Sequence, residues 1–149
     1  MTIGEEIKSK FNSEHQKAAI NVLYTANRLY EVHSNSLKKF GLTPEQYNIL
    51  RILRGQHPKP ATVNLLIERM LNKMSNASRL VDKLVIKKMV IRKTCKDDRR
   101  AVDVLITQKG LDLLLMLEKA EVVWLKEISK LSIAEAKELN RLLDKVRSK

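Results

Sequence analysis

Between Thr62 and Ile106 the spacing of apolar residues changes its period, and that change most restricts what the chain can become. Behind Thr62, a residue suited to cap a helix, Val63, Leu66, Ile67 and Met70 recur at three- and four-residue steps. After a short turn near Leu71–Lys73, Ala77, Leu80, Val81 and Leu84 recur at the same steps. The period then shortens: Val90-Ile91-Arg92-Lys93-Thr94 and Ala101-Val102-Asp103-Val104-Leu105-Ile106 are rich in β-branched residues and partly alternate. Two short helices joined by a tight turn form a helix-turn-helix pattern. A β-hairpin directly behind it, with the charged tip Cys95-Lys96-Asp97-Asp98-Arg99-Arg100, turns that pattern into a winged helix.

The flanks read as helix. Ile7, Phe11, Ala18, Val22, Ala26, Leu29 and Tyr30 predict one long amphipathic helix from about Glu5 to Glu31, longer than a small core needs, so that part of its face is available to a second subunit. A shorter helical piece is expected through Ser36–Phe40, ended by Gly41. Thr43-Pro44-Glu45-Gln46 is a helix start with cap, proline at the first helical position and capping-box glutamine; Gly55 and His57-Pro58-Lys59-Pro60 end that helix. Thr107 can cap a second long helix over roughly 108–128, and Ser132-Ile133-Ala134-Glu135 is a capping box for a last one. The expected fold is mainly α with a small β-hairpin wing (α+β), in a single domain of 149 residues. Residues of about 43–107 would form the winged helix-turn-helix lobe, and about 1–40 and 108–149 the dimerisation helices.

The formal net charge of +12 matters because it is focused: between Arg69 and Arg100 eleven Lys and Arg face three Asp, a net of +8 in 32 residues. Such a surface attracts polyanions, whether nucleic acid, anionic lipid or an acidic protein. One cysteine excludes an internal disulfide framework and a Cys-rich zinc site. No secretory signal opens the chain and no apolar run approaches the ~18–20 residues that span a bilayer, so no membrane partner is expected and a cytoplasmic protein is the default.

No catalytic constellation is visible. His15, His33 and His57 are scattered over different elements without metal-ligand spacing, and there is no Gly-rich phosphate loop and no GxSxG elbow. Asp97 and Asp98 already sit among Lys93, Lys96, Arg99 and Arg100, which neutralise them; no metal and no cofactor are expected. The helix from about Met74 to Lys88 suits a major-groove reader instead. Ser75, Asn76 and Ser78 are small and hydrogen-bonding, and Arg79 can pair bidentately with guanine. Taken alone this is an ordinary solvated helix face; its place in the +8 segment favours duplex DNA. At the hairpin tip, Arg99 and Arg100 could reach the adjacent minor groove, with Asp98 directing Arg100. Cys95, beside Arg92, Lys93 and Lys96, leaves open a redox-responsive alternative. A basic winged helix serving protein contacts is a further alternative.

Three stretches resemble the MarR (multiple antibiotic resistance regulator) family of bacterial transcription factors. LTPEQYNILRIL (42–53) is similar to the family's second-helix signature, SNASRLVDKL (75–84) to its recognition helix, and DRRAVDVLITQKG (98–110) to its wing with the D-x-R and L-T-x-K-G pattern. The order of elements matches over nearly the whole chain. The resemblance implies a homodimer whose winged helices dock on a near-palindromic operator. It places Ser75, Asn76, Ser78 and Arg79 at the major groove and Arg100, with Arg99, in the minor groove, braced by Asp98. It also implies a repressor relieved by a small aromatic or phenolic ligand, whose pocket one sequence does not locate. Two departures stand out. Lys87-Lys88-Met89 replaces a family glycine just after the recognition helix, so either Met89 takes a left-handed conformation or the helix ends another way. The turn at Leu71–Asn72 also lacks the family's frequent glycine.

Overall fold

The computed structural model describes residues 1–94 and 102–148, and for residues 119–124 the backbone alone. In chain order the elements are α1 (Ile3–Glu6), α2 (Glu14–Lys38), α3 (Pro44–Gln56), β1 (Ala61–Thr62), α4 (Val63–Arg69), α5 (Ala77–Ile86), β2 (Val90–Thr94), β3 (Val102–Ile106), α6 (Gln108–Ile128) and α7 (Ile133–Arg147). The chain divides into two compact units, Met1–Asn35 with Val123–Lys149, and Ser36–Val122.

The second unit holds the core. Ile49, Leu50 and Leu53 of α3 pack with Leu66 and Met70 around α4, Val81 and Leu84 of α5, Val90 and Val104 of the sheet, and Leu114 and Leu117 of α6. Antiparallel strands run in the order β1-β3-β2. Arg92 lies opposite Val104 and Ala61 flanks Val104 on its other side. The two-residue β1 is too short to leave a periodicity in the sequence. Capping starts α3 as its sequence suggests: the Gln46 N–H donates to Thr43 Oγ1 and the Thr43 N–H to Gln46 Oε1, both at 3.3 Å. Thr62 caps α4 by accepting the Leu65 N–H at 3.2 Å.

The ends of α2 and α5 share one device. After α2, the Leu42 N–H donates to the Leu37 carbonyl and the Gly41 N–H to that of Lys38, with Gly41 left-handed at φ 67°. After α5, the Met89 N–H donates to Leu84 and the Lys88 N–H to Val85. Each is a Schellman ending with its apolar pair, Leu42 on Leu37 and Met89 on Leu84, inside the core. The left-handed residue of the second is Lys88, at φ 60°, and not Met89. The missing glycine is thus resolved by a strained lysine, which frees Met89 to be buried.

In the first unit the expected single helix over Glu5–Glu31 is interrupted. Lys8 turns left-handed at φ 52°, and Ser13 starts α2 by accepting the Gln16 N–H at 3.2 Å, while Gln16 Oε1 accepts the Asn12 N–H at 2.8 Å. The apolar steps of Ile7 and Phe11 carry on through this break and hide it. α7 is capped by Ser132 and Glu135, whose carboxylate accepts both the Ser132 N–H and hydroxyl at 2.8 Å; these bonds hold the Glu135 carboxyl below its ordinary pKa. Among the described residues of this unit, Ile3 alone is a buried hydrophobic. Val22, Leu23, Tyr30, Leu125, Leu139 and Leu142 are exposed, and Ile133 and Val146 are 79% and 83% exposed.

Candidate nucleic-acid interface

α5 buries Ala77, Val81 and Leu84 and leaves Ser78, Arg79, Asp82 and Lys83 exposed. Its first turn is set by Asn76, whose Oδ1 accepts the Arg79 N–H at 3.0 Å. The helix therefore begins at Ala77, later than the expected Met74. Ser75 and Asn76 lie before it, Ser75 half-buried and Asn76 exposed, with the Asn76 carbonyl oxygen serving as the cap. Ser78 and Arg79 lie in the first turn itself.

Side chains that a spacing argument does not reveal hold this turn. Arg92, on β2, donates through Nη2 to both the carbonyl and the hydroxyl of Ser78 at 3.1 Å, and pairs through Nη1 with Asp82 at 2.9 Å. A guanidinium fork thus fastens the wing strand to the exposed face of α5, and it engages the Ser78 hydroxyl. Arg79 and Lys83 stand exposed beside it.

The turn from α4 to α5 needs no glycine because polar side chains take its backbone groups. Asn48 on α3 accepts the Leu71 N–H at 2.9 Å, and Asn72 accepts the Met74 N–H at 3.0 Å. The Lys73 ammonium donates to the Glu68 carbonyl and, at 3.4 Å, to that of Ile67, which caps the end of α4. Asn48 reaches this turn from 23 residues away, so the local pattern does not mark it.

The far end of α5 is tied down as well. Lys87 donates to the Gly41 carbonyl and to Oε1 of buried Gln46 at 3.1 Å; burial, followed by the neighbouring Lys83 charge, lowers its pKa. Thr107 donates its hydroxyl to the Lys88 carbonyl at 2.8 Å and its N–H to Met89 at 3.0 Å, and accepts the Gly110 N–H at 3.2 Å. Lys109 donates to the Lys87 carbonyl at 2.9 Å. The Thr107-Gln108-Lys109-Gly110 stretch is thereby a latch between the end of α5, the sheet and α6. Gly110 belongs there on steric grounds: a Cβ would sit 2.5 Å from the Met89 carbonyl oxygen.

Asp98, Arg99, Arg100 and Cys95 lie outside the described residues. Among the described residues no group of three His, Cys, Asp or Glu is placed to hold a metal ion, and no helix is long and apolar enough to cross a membrane. A groove of about 510 Å³ lies within the first unit, lined by Lys17, Asn21, Tyr24 and Arg28 of α2 together with Ile3, Glu6 and Glu127. There the Glu6 carboxylate raises the Tyr24 pKa through a hydrogen bond.

Residues 40–101 match the model of the MarR family. Over 94 residues the chain is 33% identical to the HTH-type transcriptional regulator MhqR of Bacillus subtilis, a stretch that covers 62% of this chain and 63% of that relative's length. A solved MarR transcription factor from Planctomyces limnophilus is 29% identical, with 91% of this chain and 98% of that one superposed at a TM-score of 0.68. Bordetella bronchiseptica BpsR shares the fold at 18% identity, with 95% and 99% covered and a TM-score of 0.80.

Proposed function

We propose that the chain is a winged-helix regulator of the MarR family, whose model residues 40–101 match, and that it acts as a homodimeric repressor that binds a near-palindromic duplex operator. The observation that carries this reading is the first turn of α5. It is capped by Asn76, clamped by Arg92, and leaves Arg79 exposed, with Lys83 exposed in the last turn of the same helix, in the most cationic part of the chain. A rigid, positively charged helix start is what a major groove accepts. Arg79 would pair with a base edge. Ser75, Asn76 and Ser78 would lie alongside, with Ser78 and Asn76 also holding the helix in register. Arg100, with Arg99, would enter the minor groove, braced by Asp98.

The homodimer is supported by the apolar residues that α2 and α7 expose, since one chain alone leaves Ile133, Leu142 and Val146 in water. Relief by a small aromatic ligand is supported by analogy alone: DNA binding by BpsR is regulated by 6-hydroxynicotinic acid.

Selection of duplexes by the purified protein, followed by anisotropy titrations at several salt concentrations, tests the reading. Affinity for the selected duplex is expected to fall by about a thousandfold between 50 and 200 mM salt if some six phosphates are neutralised. Arg79→Ala is expected to relax preference at one position per half-site, and Arg100→Ala to weaken binding without changing thermal stability. Binding that ignores salt, or that prefers no duplex, would assign the winged helix to protein contacts instead.

A further inference from the structure

Leu71 and Met74 are 89% and 93% exposed, three residues apart in the turn between α4 and α5. They do not hang from a loose loop. The Leu71 N–H is held by Asn48, the Met74 N–H by Asn72, and Lys73 between them is anchored on the carbonyls that end α4. A fixed backbone therefore presents two apolar side chains to solvent, two and five residues ahead of the Asn76 cap of α5. Exposed Arg69, Arg79 and Lys83 surround them in sequence, with Lys73 in the same turn, against Glu68 and an Asp82 that Arg92 pairs. An apolar pair within a cationic surface fits a polyanion that also offers an apolar spot. In the major groove that spot is the C5-methyl group of thymine, the one apolar mark on a base edge.

We propose that Leu71 and Met74 are specificity residues that pack on thymine methyl groups at the start of the recognition helix. The inference rests on the duplex-DNA reading above and adds to it an apolar readout beside the hydrogen bonds of Arg79. Methionine suits this contact because its unbranched thioether adapts to a methyl at several positions. The turn carries Leu71 and Met74 toward the groove because a recognition helix enters it by its N-terminal end.

The test uses the duplex selected by the full-length protein, with each thymine replaced in turn by deoxyuridine. This removes one methyl group and leaves the hydrogen-bonding edge intact. Dissociation constants are measured at one salt concentration for the unaltered protein, Leu71→Ala and Met74→Ala, with thermal melting beside them. The unaltered protein is expected to bind about fourfold more weakly when a contacted thymine loses its methyl, the effect of one buried methyl-sized group. At that position Leu71→Ala or Met74→Ala is expected to bind thymine and deoxyuridine equally, with melting unchanged. Sequence-selective binding that treats thymine and deoxyuridine alike at every position overturns the inference and leaves the DNA reading standing. Discrimination that survives in both variants also overturns it. A protein that selects no duplex overturns both readings together.

Discussion

Gly110→Ala is the substitution whose outcome follows most directly from the geometry. The added Cβ would stand 2.5 Å from the Met89 carbonyl oxygen, 2.7 Å from Ile106 Cγ1 and 3.3 Å from Ile106 Cδ1. Ile106 can turn its end away at the cost of an off-rotamer side chain. The carbonyl is backbone, and it already accepts the Thr107 N–H at 3.0 Å, so moving it stretches the latch. Alanine gains about 0.5–1 kcal/mol over glycine in a helix. Overpacking costs typically 1–3 kcal/mol and a weakened hydrogen bond roughly 0.5–1.5 kcal/mol. The net expectation is a loss of about 1–3 kcal/mol, which lowers the melting temperature by roughly 2–12 °C for a chain of this size. Urea and thermal unfolding at one fixed protein concentration measure it, since self-association would make stability depend on concentration. Gly55→Ala is the control: nothing lies within 4 Å of its added Cβ, and its backbone is helical, so it is expected to be neutral or to stabilise by up to about 1 kcal/mol. If Gly110→Ala is as stable as Gly55→Ala, the latch between Met89 and α6 is not packed as described and the reasoning fails.

Three further outcomes follow from the ends and clamps of α5. Lys88→Gly is expected to raise stability by about 0.5–1 kcal/mol in the same unfolding assays, because glycine takes the φ of 60° without strain; a loss would show that the lysine side chain matters more than its backbone. Arg92→Ala is expected to cost about 1–2 kcal/mol and to weaken duplex binding beyond that of the fold, since Ser78 and Asp82 lose the group that fixes the first turns of α5. Arg92→Lys is expected to restore little of either, because an ammonium cannot span both Ser78 and Asp82 as a fork does; full recovery would refute the fork.

Much of the fold could be read from local signals. Thr43, Thr62, Thr107 and Ser132 announce the starts of α3, α4, α6 and α7 because a cap needs only the next three or four residues. The change from helical to strand period marks β2 and β3 for the same reason. What escaped local reading depends on distant parts of the chain. The break before α2 lies under an apolar rhythm that continues across it, and the left-handed Lys8 has no sequence mark. The left-handed residue after α5 is Lys88 because Met89 is drawn into the core beside Leu84, a choice made by packing rather than by propensity. Arg92, Lys87 and Asn48 are ordinary polar residues in the sequence; only the fold brings them to Ser78, Gly41 and Leu71. The apolar stripes of α2 and α7 look like core in the sequence, yet Val22, Tyr30, Leu139, Leu142 and Val146 are exposed in one chain, because the pattern is the same whether the chain or a partner covers it.

The candidate site shows the same division. Serine, asparagine and arginine at 75–79 drew attention by residue type, while their duties depend on neighbours. Asn76 caps, Ser78 is gripped by Arg92, and Arg79 brings an exposed charge to the helix start. A helix start held by such bonds leaves less ordering for the proposed binding to impose.

Hydroxyl-radical footprinting of the protein on its selected duplex tests the central claim most directly. Two chains bound symmetrically are expected to give two equivalent protected segments, with centres one helical turn (roughly 34–36 Å) or a multiple of it apart. Arg79→Ala should lessen the protection of both segments equally. A single protected segment, or protection indifferent to sequence, would contradict a dimer that reads DNA through α5.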